Sequence, residues 1–194
     1  PNNPMSSNDI VEKQIRESGE KIAFPTIVGS GVNSSVPHHE TSTKRLRKGF
    51  IQLDFGATYK NYCADMSRVL YVGTPTSKEK EDFILLQECQ AKTQTHVQEG
   101  MAFGDLDLFS RKKLGKKASY FVHSLGHGIG VEVHESPKVG QGSKDIVQEN
   151  MIFTIEPGIY FPGKYGIRIE DTVVFQNKKI KSLTRSSRDL KIIK

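Results

Sequence analysis

"FTIEPGIYFPGKYGIRIEDTVVF", Phe153–Phe175, decides how this chain reads. It has the look of two β-strands, yet each apolar run carries a glutamate: Glu156 in "FTIEPG" and Glu170 in "IRIEDTVV". An unpaired carboxylate in an apolar run is costly, so acids in such places are as a rule paired or bound to a metal.

A looser copy lies upstream. "IQLDFG" (51–56) resembles "FTIEPG" (153–158), and "ADMSRVLYV" (64–72) resembles "IEDTVVF" (169–175). The acids stand 11 residues apart in the first copy (Asp54, Asp65) and 14 apart in the second (Glu156, Glu170). Each copy can form a hairpin that sets two acids side by side, and a two-fold arrangement of the hairpins would bring four carboxylates together. Strand alternation sends Leu53 and Phe55 to the face opposite Asp54, and Ile155 and Pro157 to the face opposite Glu156. Any one embedded acid is more often a satisfied salt bridge, so the argument rests on the four together. Four converging carboxylates repel one another, and a pair of divalent cations would neutralise them. Carboxylates suit hard or borderline cations such as Mn²⁺, Mg²⁺ or Co²⁺.

Histidine supplies the nitrogen ligands. His123, His127 and His134 fall in "FVHSLGHGIGVEVHE", where Gly126, Gly128 and Gly130 argue for strand and tight backbone. "HSLGH" lacks the glutamate of a zinc-binding H-E-x-x-H helix. One of these histidines can ligate while others line a pocket. His96 reads as ordinary, and His38–His39 follow Pro37 in a loop.

Around this centre, helices are expected over 8–18 with Ser7 or Asn8 as N-cap, over 77–98 behind a Thr76–Glu79 capping box with Gly100 as the stop, and over 103–114 before Gly115. "FIQLDFG" and "ADMSRVLYVG" read as strands, "ATYKNY" as a polar turn, and "SPKVGQGSKDIVQEN" as a loop.

The 194 residues, 36% hydrophobic and 26% charged, suit one domain with a substantial core. No apolar run approaches the ~20 residues that cross a bilayer, and the opening residues lack a signal-peptide pattern. Two cysteines, Cys63 and Cys89, are too few for a disulfide framework, so reduced thiols and a cytoplasmic location are expected. The net charge of +6 gathers at 43–48, 111–117 and the C-terminal end. Without a nucleic-acid motif beside it, this reads as a solvated basic face, so a nucleic-acid partner is not expected. Residues 1–5 read either as an appended stretch or as the stump of a longer protein.

In order along the chain, "VGSGVNSSVPHHE", "GFIQLDFGATYKNYCADMSRVLYVG", "HSLGHGIGVEVHESP", "FTIEPGIY" and "GIRIEDTVV" resemble the motifs of the pita-bread metallopeptidases. This group includes methionine aminopeptidase, aminopeptidase P, prolidase (Xaa-Pro dipeptidase) and creatinase. The resemblance runs from about residue 27 to 175. It implies an α+β fold of two pseudo-symmetric αβ halves, with a curved antiparallel sheet and a dinuclear metal site. Asp54 would bind one ion, Asp65 and Glu170 would bridge two, and His127 and Glu156 would complete the second. Mn²⁺ or Co²⁺ is the expected metal, with Zn²⁺ an alternative. His38 matches the family's pocket histidine, with His39 leaving the register open by one. His123 and His134 match the pair that contacts the scissile region.

Arg168, two residues before Glu170, and "GHGIGVEVHE" resemble the prolidase and aminopeptidase P subgroup, whereas methionine aminopeptidases tend to carry Arg after "GHGIG". The implied activity is hydrolysis of the bond between an N-terminal residue and proline, by a hydroxide bridging the metals with Glu156 as general base. His134 would stabilise the oxyanion, and His123 would position the substrate or assist the leaving amide. Arg168 would pair with the substrate's C-terminus, or alternatively with Asp171 or a metal ligand. Arg68 would support the site from behind. Methionine aminopeptidase, creatinase-like cleavage and a non-catalytic pita-bread binding module are the rivals, and the full ligand set weighs against the last two. The expectation is a single catalytic domain over 1–194, without the N-terminal domain usual in prolidases. Its partner would be a short peptide with no membrane, and a homodimer is compatible.

Overall fold

Alternating apolar residues in 50–55 and 66–72 build the strand pair around which the first half of the chain is arranged. In the computed structural model, residues 6–40 and 45–194 are described; the reading of residues 1–5, and the first two residues of the basic cluster at 43–48, lie outside them. In chain order the elements are α1 (Ser7–Glu17), β1 (Lys21–Ile22), β2 (Ile27–Ser30), β3 (Gly49–Phe55), β4 (Ala57–Tyr59), β5 (Tyr62–Cys63), β6 (Met66–Val72), α2 (Ser77–His96), α3 (Phe103–Leu114) and β7 (Gly126–Gly128). There follow β8 (Glu135–Val139), β9 (Ile152–Ile155), β10 (Gly158–Phe161), β11 (Tyr165–Arg168), β12 (Asp171–Gln176), β13 (Lys179–Ser182) and β14 (Lys191–Ile193).

The strands form two main sheets, one in the order β14-β6-β3-β2 and one in the order β13-β12-β9-β7-β8. β3 pairs antiparallel with β6, Asp54 facing Ser67; β9 pairs antiparallel with β12, Ile155 facing Asp171. The exception to antiparallel pairing among the described strands is β14, which lies parallel to β6.

Each acid-bearing pair carries a small hairpin between its strands: β4–β5 in the first copy and β10–β11 in the second. The Phe153–Phe175 stretch is therefore four strands: the first run breaks at Glu156–Pro157, the second at Ile169–Glu170, and Pro162–Gly163 lie in the turn between them. Likewise "ATYKNY" is a hairpin, turning at Lys60 and Asn61, both at positive φ. "SPKV", expected in a loop, pairs with β7 as most of β8.

The Thr76–Glu79 capping box opens α2, which ends at His96 with Gly100 in the turn beyond; in α1 the box is Ser6–Asp9, one residue before the expected cap. Phe83 and Leu86 of α2 and Phe103 and Leu106 of α3 pack on Phe153, Ile155, Val173 and Phe175, which point to one face of the second sheet. The helices cover that face and leave the other open to the site. Asp82, Gln90 and Gln94 of α2 are also buried, and each has partners: Asp82 takes Lys117, Lys78 and Tyr165, and both glutamines donate to Asp171.

Candidate metal centre

The acids sit where the ladders stop. Asp54 is near the end of β3, and Asp65 immediately precedes β6; Glu156 follows β9, and Glu170 precedes β12. Past the last hydrogen-bonded residues the strands part, and carboxylates there point into the gap between the half-sheets. His127 enters the gap from β7, with its backbone N–H donated to Thr154 Oγ1 at 3.1 Å. The glycines on either side of it are required by close approach: a Cβ on Gly126 would collide with the Thr154 backbone, and one on Gly128 with Ser136.

Asp65, His127 and Glu170 each present a ligand atom within 4.8 Å of the other two. His127 Nε2 lies 3.6 Å from Asp65 Oδ2 and 3.4 Å from Glu156 Oε1. Its Nδ1 lies 3.0 Å from the Gly128 carbonyl, an arrangement that assigns the proton to Nδ1 and aims the Nε2 lone pair at the acids. Glu170 Oε2 accepts from Ser67 Oγ (2.8 Å), and Glu156 Oε1 from Thr154 Oγ1 (3.2 Å). Asp54 Oδ2 is held by Arg168 at 2.6 Å.

The remaining oxygens test whether a metal fits. Asp54 Oδ1, Asp65 Oδ1 and Glu170 Oε1 are buried and accept nothing from the described residues. Native proteins rarely leave such atoms unsatisfied, and here they converge. Burial, with Asp54 and Glu156 alongside, pushes Asp65 up to about 9. Burial raises Glu156 to about 8 against the pull of Arg168. Burial and the neighbouring Asp65 hold Glu170 well above the carboxylate range. Burial pulls His127 down to about 4, so its imidazole is neutral and free to ligate. A neutral imidazole among carboxylates that cannot all ionise alone is a donor set for divalent cations.

Next to the ligands opens a cavity of about 430 Å³ lined by His38, His123, His127, His134, Glu156 and Arg168. His38 lines this cavity, while His39 lines a separate crevice with Ser7 and Val28. His134 lies edge-on to His127, ring centroids 4.2 Å apart. His123 Nδ1 meets the Ser124 carbonyl at 2.8 Å and Nε2 meets the Tyr160 hydroxyl at 3.0 Å; burial and nearby Arg168 pull it down to about 3.

Arg168 is 2% exposed and donates to Asp54, Ser67 Oγ, Tyr160 Oη and the Pro37 carbonyl. Of its expected carboxylate partners it takes the ligand Asp54. Asp171 goes instead to Arg68 and Arg188.

Two residues at the site were not singled out in the sequence. Tyr160, whose phenol burial pushes up to about 12 against the pull of Arg168, links Arg168 to His123; its alternation with Gly158 in "EPGIY" was the available signal. Lys138 lines the cavity, with no carboxylate within ion-pair distance among the described residues.

Known proteins resemble this chain in sequence and fold. Residues 6–177 match metallopeptidase family M24. The Xaa-Pro dipeptidase of Pyrococcus furiosus is 40% identical over 184 residues, covering 93% of this chain and 53% of that protein. Among solved structures, the Xaa-Pro dipeptidase from Bacillus anthracis superposes with a TM-score of 0.94 at 36% identity, over 98% of this chain and 56% of that one. The X-Pro aminopeptidase from Thermotoga maritima gives 0.92 at 39%, over 96% and 53%. The chain thus spans about half the length of the curated relatives it matches. With the family model matched over residues 6–177 and the pita-bread fold shared with these solved structures, the chain belongs to metallopeptidase family M24.

Proposed function

We propose that this chain is the catalytic domain of a metal-dependent peptidase that cleaves between an N-terminal residue and proline. The observation that carries the reading is the convergence of Asp54, Asp65, His127, Glu156 and Glu170 with three carboxylate oxygens left without partners. Two divalent ions held by these residues, Mn²⁺ or Co²⁺, would acidify a water and polarise the substrate carbonyl.

The chain's own groups supply the rest. Glu156, held by Thr154 Oγ1 beside His127, can take a proton from water and return it to the leaving nitrogen once bound cations keep its carboxylate ionised. His134, in the cavity wall, offers a ring N–H to the carbonyl oxygen as charge develops there. His123 is fixed by Tyr160 and the Ser124 carbonyl and shapes the leaving-group side, with His38 across the cavity. Arg168 is engaged on all sides, so it holds Asp54 in place. Lys138 is the cation left to meet the C-terminal carboxylate of a dipeptide. A Lys138→Met variant is expected to raise KM for dipeptides while leaving longer peptides unaffected.

The proline preference rests on likeness to the relatives named above. Cys63 and Cys89 are both free, in keeping with a cytoplasmic setting, and among the described residues no helix is long and apolar enough to cross a membrane. The test is hydrolysis by metal-free protein with Mn²⁺, Co²⁺ or Zn²⁺ restored, offered Xaa-Pro dipeptides, a longer Xaa-Pro peptide and a Met-Ala peptide. Metal-dependent release from the Xaa-Pro substrates, lost in Asp65→Ala and Glu170→Ala, supports the reading. Release from Met-Ala alone would replace it with methionine aminopeptidase.

A further inference from the structure

Asp171 follows the ligand Glu170 directly, is fully buried, and points away from the cavity. Four side chains donate to it and a fifth forms an ion pair. Arg68 donates to Oδ1 at 2.7 Å and Thr184 at 2.7 Å, Gln90 donates to Oδ2 at 2.8 Å and Gln94 at 3.0 Å, and the Arg188 guanidinium lies 2.6 Å from Oδ2. Arg68 also donates to the carbonyls of Glu170, Ser67 and Ser186. One guanidinium therefore touches the backbone of the ligand strand, the opposite half-sheet and the C-terminal segment.

That segment has an unusual course. It leaves β13 in the second sheet, bonds Leu183 N to the Thr172 carbonyl at 2.9 Å, passes Asp171, and joins the first sheet as β14 beside β6. It spans the two halves whose separation sets the distance from Asp54 and Asp65 to Glu156 and Glu170. Arg188 is its main tie: besides the ion pair with Asp171, it donates to Gln94 Oε1 (3.1 Å) and Ser182 Oγ (3.0 Å).

We infer that residues 183–193 form a strap across the two half-sheets, and that Arg188, acting through Asp171 and Arg68, is a positioning residue for Glu170 in the metal centre. This rests on the metal-centre reading above. Without Arg188 the Asp171 carboxylate loses one of its two cations and Arg68 is drawn toward it, away from the Glu170 carbonyl. Glu170 then meets the ions with its backbone less firmly held.

Mn²⁺ binding to metal-free protein, followed by electron paramagnetic resonance, is the test, with the metal-free melting midpoint recorded beside it. Arg188→Met is expected to weaken Mn²⁺ binding by about tenfold, the scale on which groups behind a ligand act. Arg188→Lys, which keeps the charge but not the fork, weakens it less. Leu114→Ala, a cavity in the α3 packing away from the strap, lowers the midpoint and leaves Mn²⁺ affinity unchanged. Should Arg188→Met fail to fold, Arg188→Lys carries the test: reduced affinity supports the strap, wild-type affinity overturns it. Wild-type affinity in Arg188→Met with a midpoint as low as that of Leu114→Ala would sink the strap alone. Absence of Mn²⁺ binding by the wild-type protein would sink the metal centre and the strap with it.

Discussion

The two acid-bearing strand pairs share a plan and differ in register. In β9–β12 the ladder, carried one step past Ile155 and Asp171, sets Glu156 straight across from Glu170. In β3–β6 the acids are diagonal, because Asp54 faces Ser67 and Asp65 lies two residues before it. The charge balance differs too. Asp54 has a guanidinium at 2.6 Å, whereas Asp65, Glu156 and Glu170 form no ion pair with Lys or Arg among the described residues and feel Arg168 only from a distance. The first pair is half-compensated by an ion pair of the protein, and the second has hydroxyls and His127 as its contacts. On the function proposed above, one arm supports itself and the other depends on bound cations.

The largest expected effect breaks the dependent arm. Glu170→Gln or Glu156→Gln keeps the shape and removes the charge, and peptidase activity should fall by about a thousandfold or more, since metal activation supplies several kcal/mol to the barrier. Glu156→Gln should leave the folded stability of the metal-free protein near neutral pH little changed, because burial pushes the Glu156 carboxyl up to about 8. Activity assays paired with thermal melts read both effects.

Breaking the self-supporting arm should do the opposite. Arg168→Met leaves Asp54 buried without its cation and should cost about 3–5 kcal/mol of stability in denaturant unfolding, whether or not metal is present.

The third test sharpens the contrast through pH. Asp65 and Glu156 titrate higher folded than unfolded, so the folded chain binds protons that the unfolded chain has released. Stability of the metal-free protein should therefore fall as pH rises from about 4 toward 8, by about 1.4 kcal/mol per unit for each such group. Saturating Mn²⁺ should flatten this slope, and Asp65→Asn should reduce it. The smallest effect belongs to the link between the arms. Ser67→Ala removes the hydroxyl shared by Glu170 and Arg168, at a cost of about 1–3 kcal/mol on unfolding.

The residues of the candidate site stood out in the sequence because acids embedded in apolar strands are conspicuous, and because the five motifs occur in order. The strand pairs and helices were legible for the same local reasons: alternation in 50–55, capping at Thr76, and Gly115 after α3. The inserted hairpin β10–β11 was not, since "GIYFPGKYGIR" continues the apolar texture of its neighbours and only its Pro and Gly mark the turns. β8 was hidden behind Ser136–Pro137, which resemble a loop. The buried glutamines of α2 gave no local clue, because their partner Asp171 lies 81 and 77 residues away. Tyr160, Lys138 and Arg188 are likewise defined by what the fold places beside them.

The most direct test of the central claim is an anomalous difference map from crystals of the protein grown with Mn²⁺. Two peaks between the arms are predicted, both beside Asp65 and Glu170, one reaching Asp54 and the other reaching His127 and Glu156. A gap without peaks at full Mn²⁺, with Asp65 and Glu170 hydrogen-bonded to each other instead, would contradict the account.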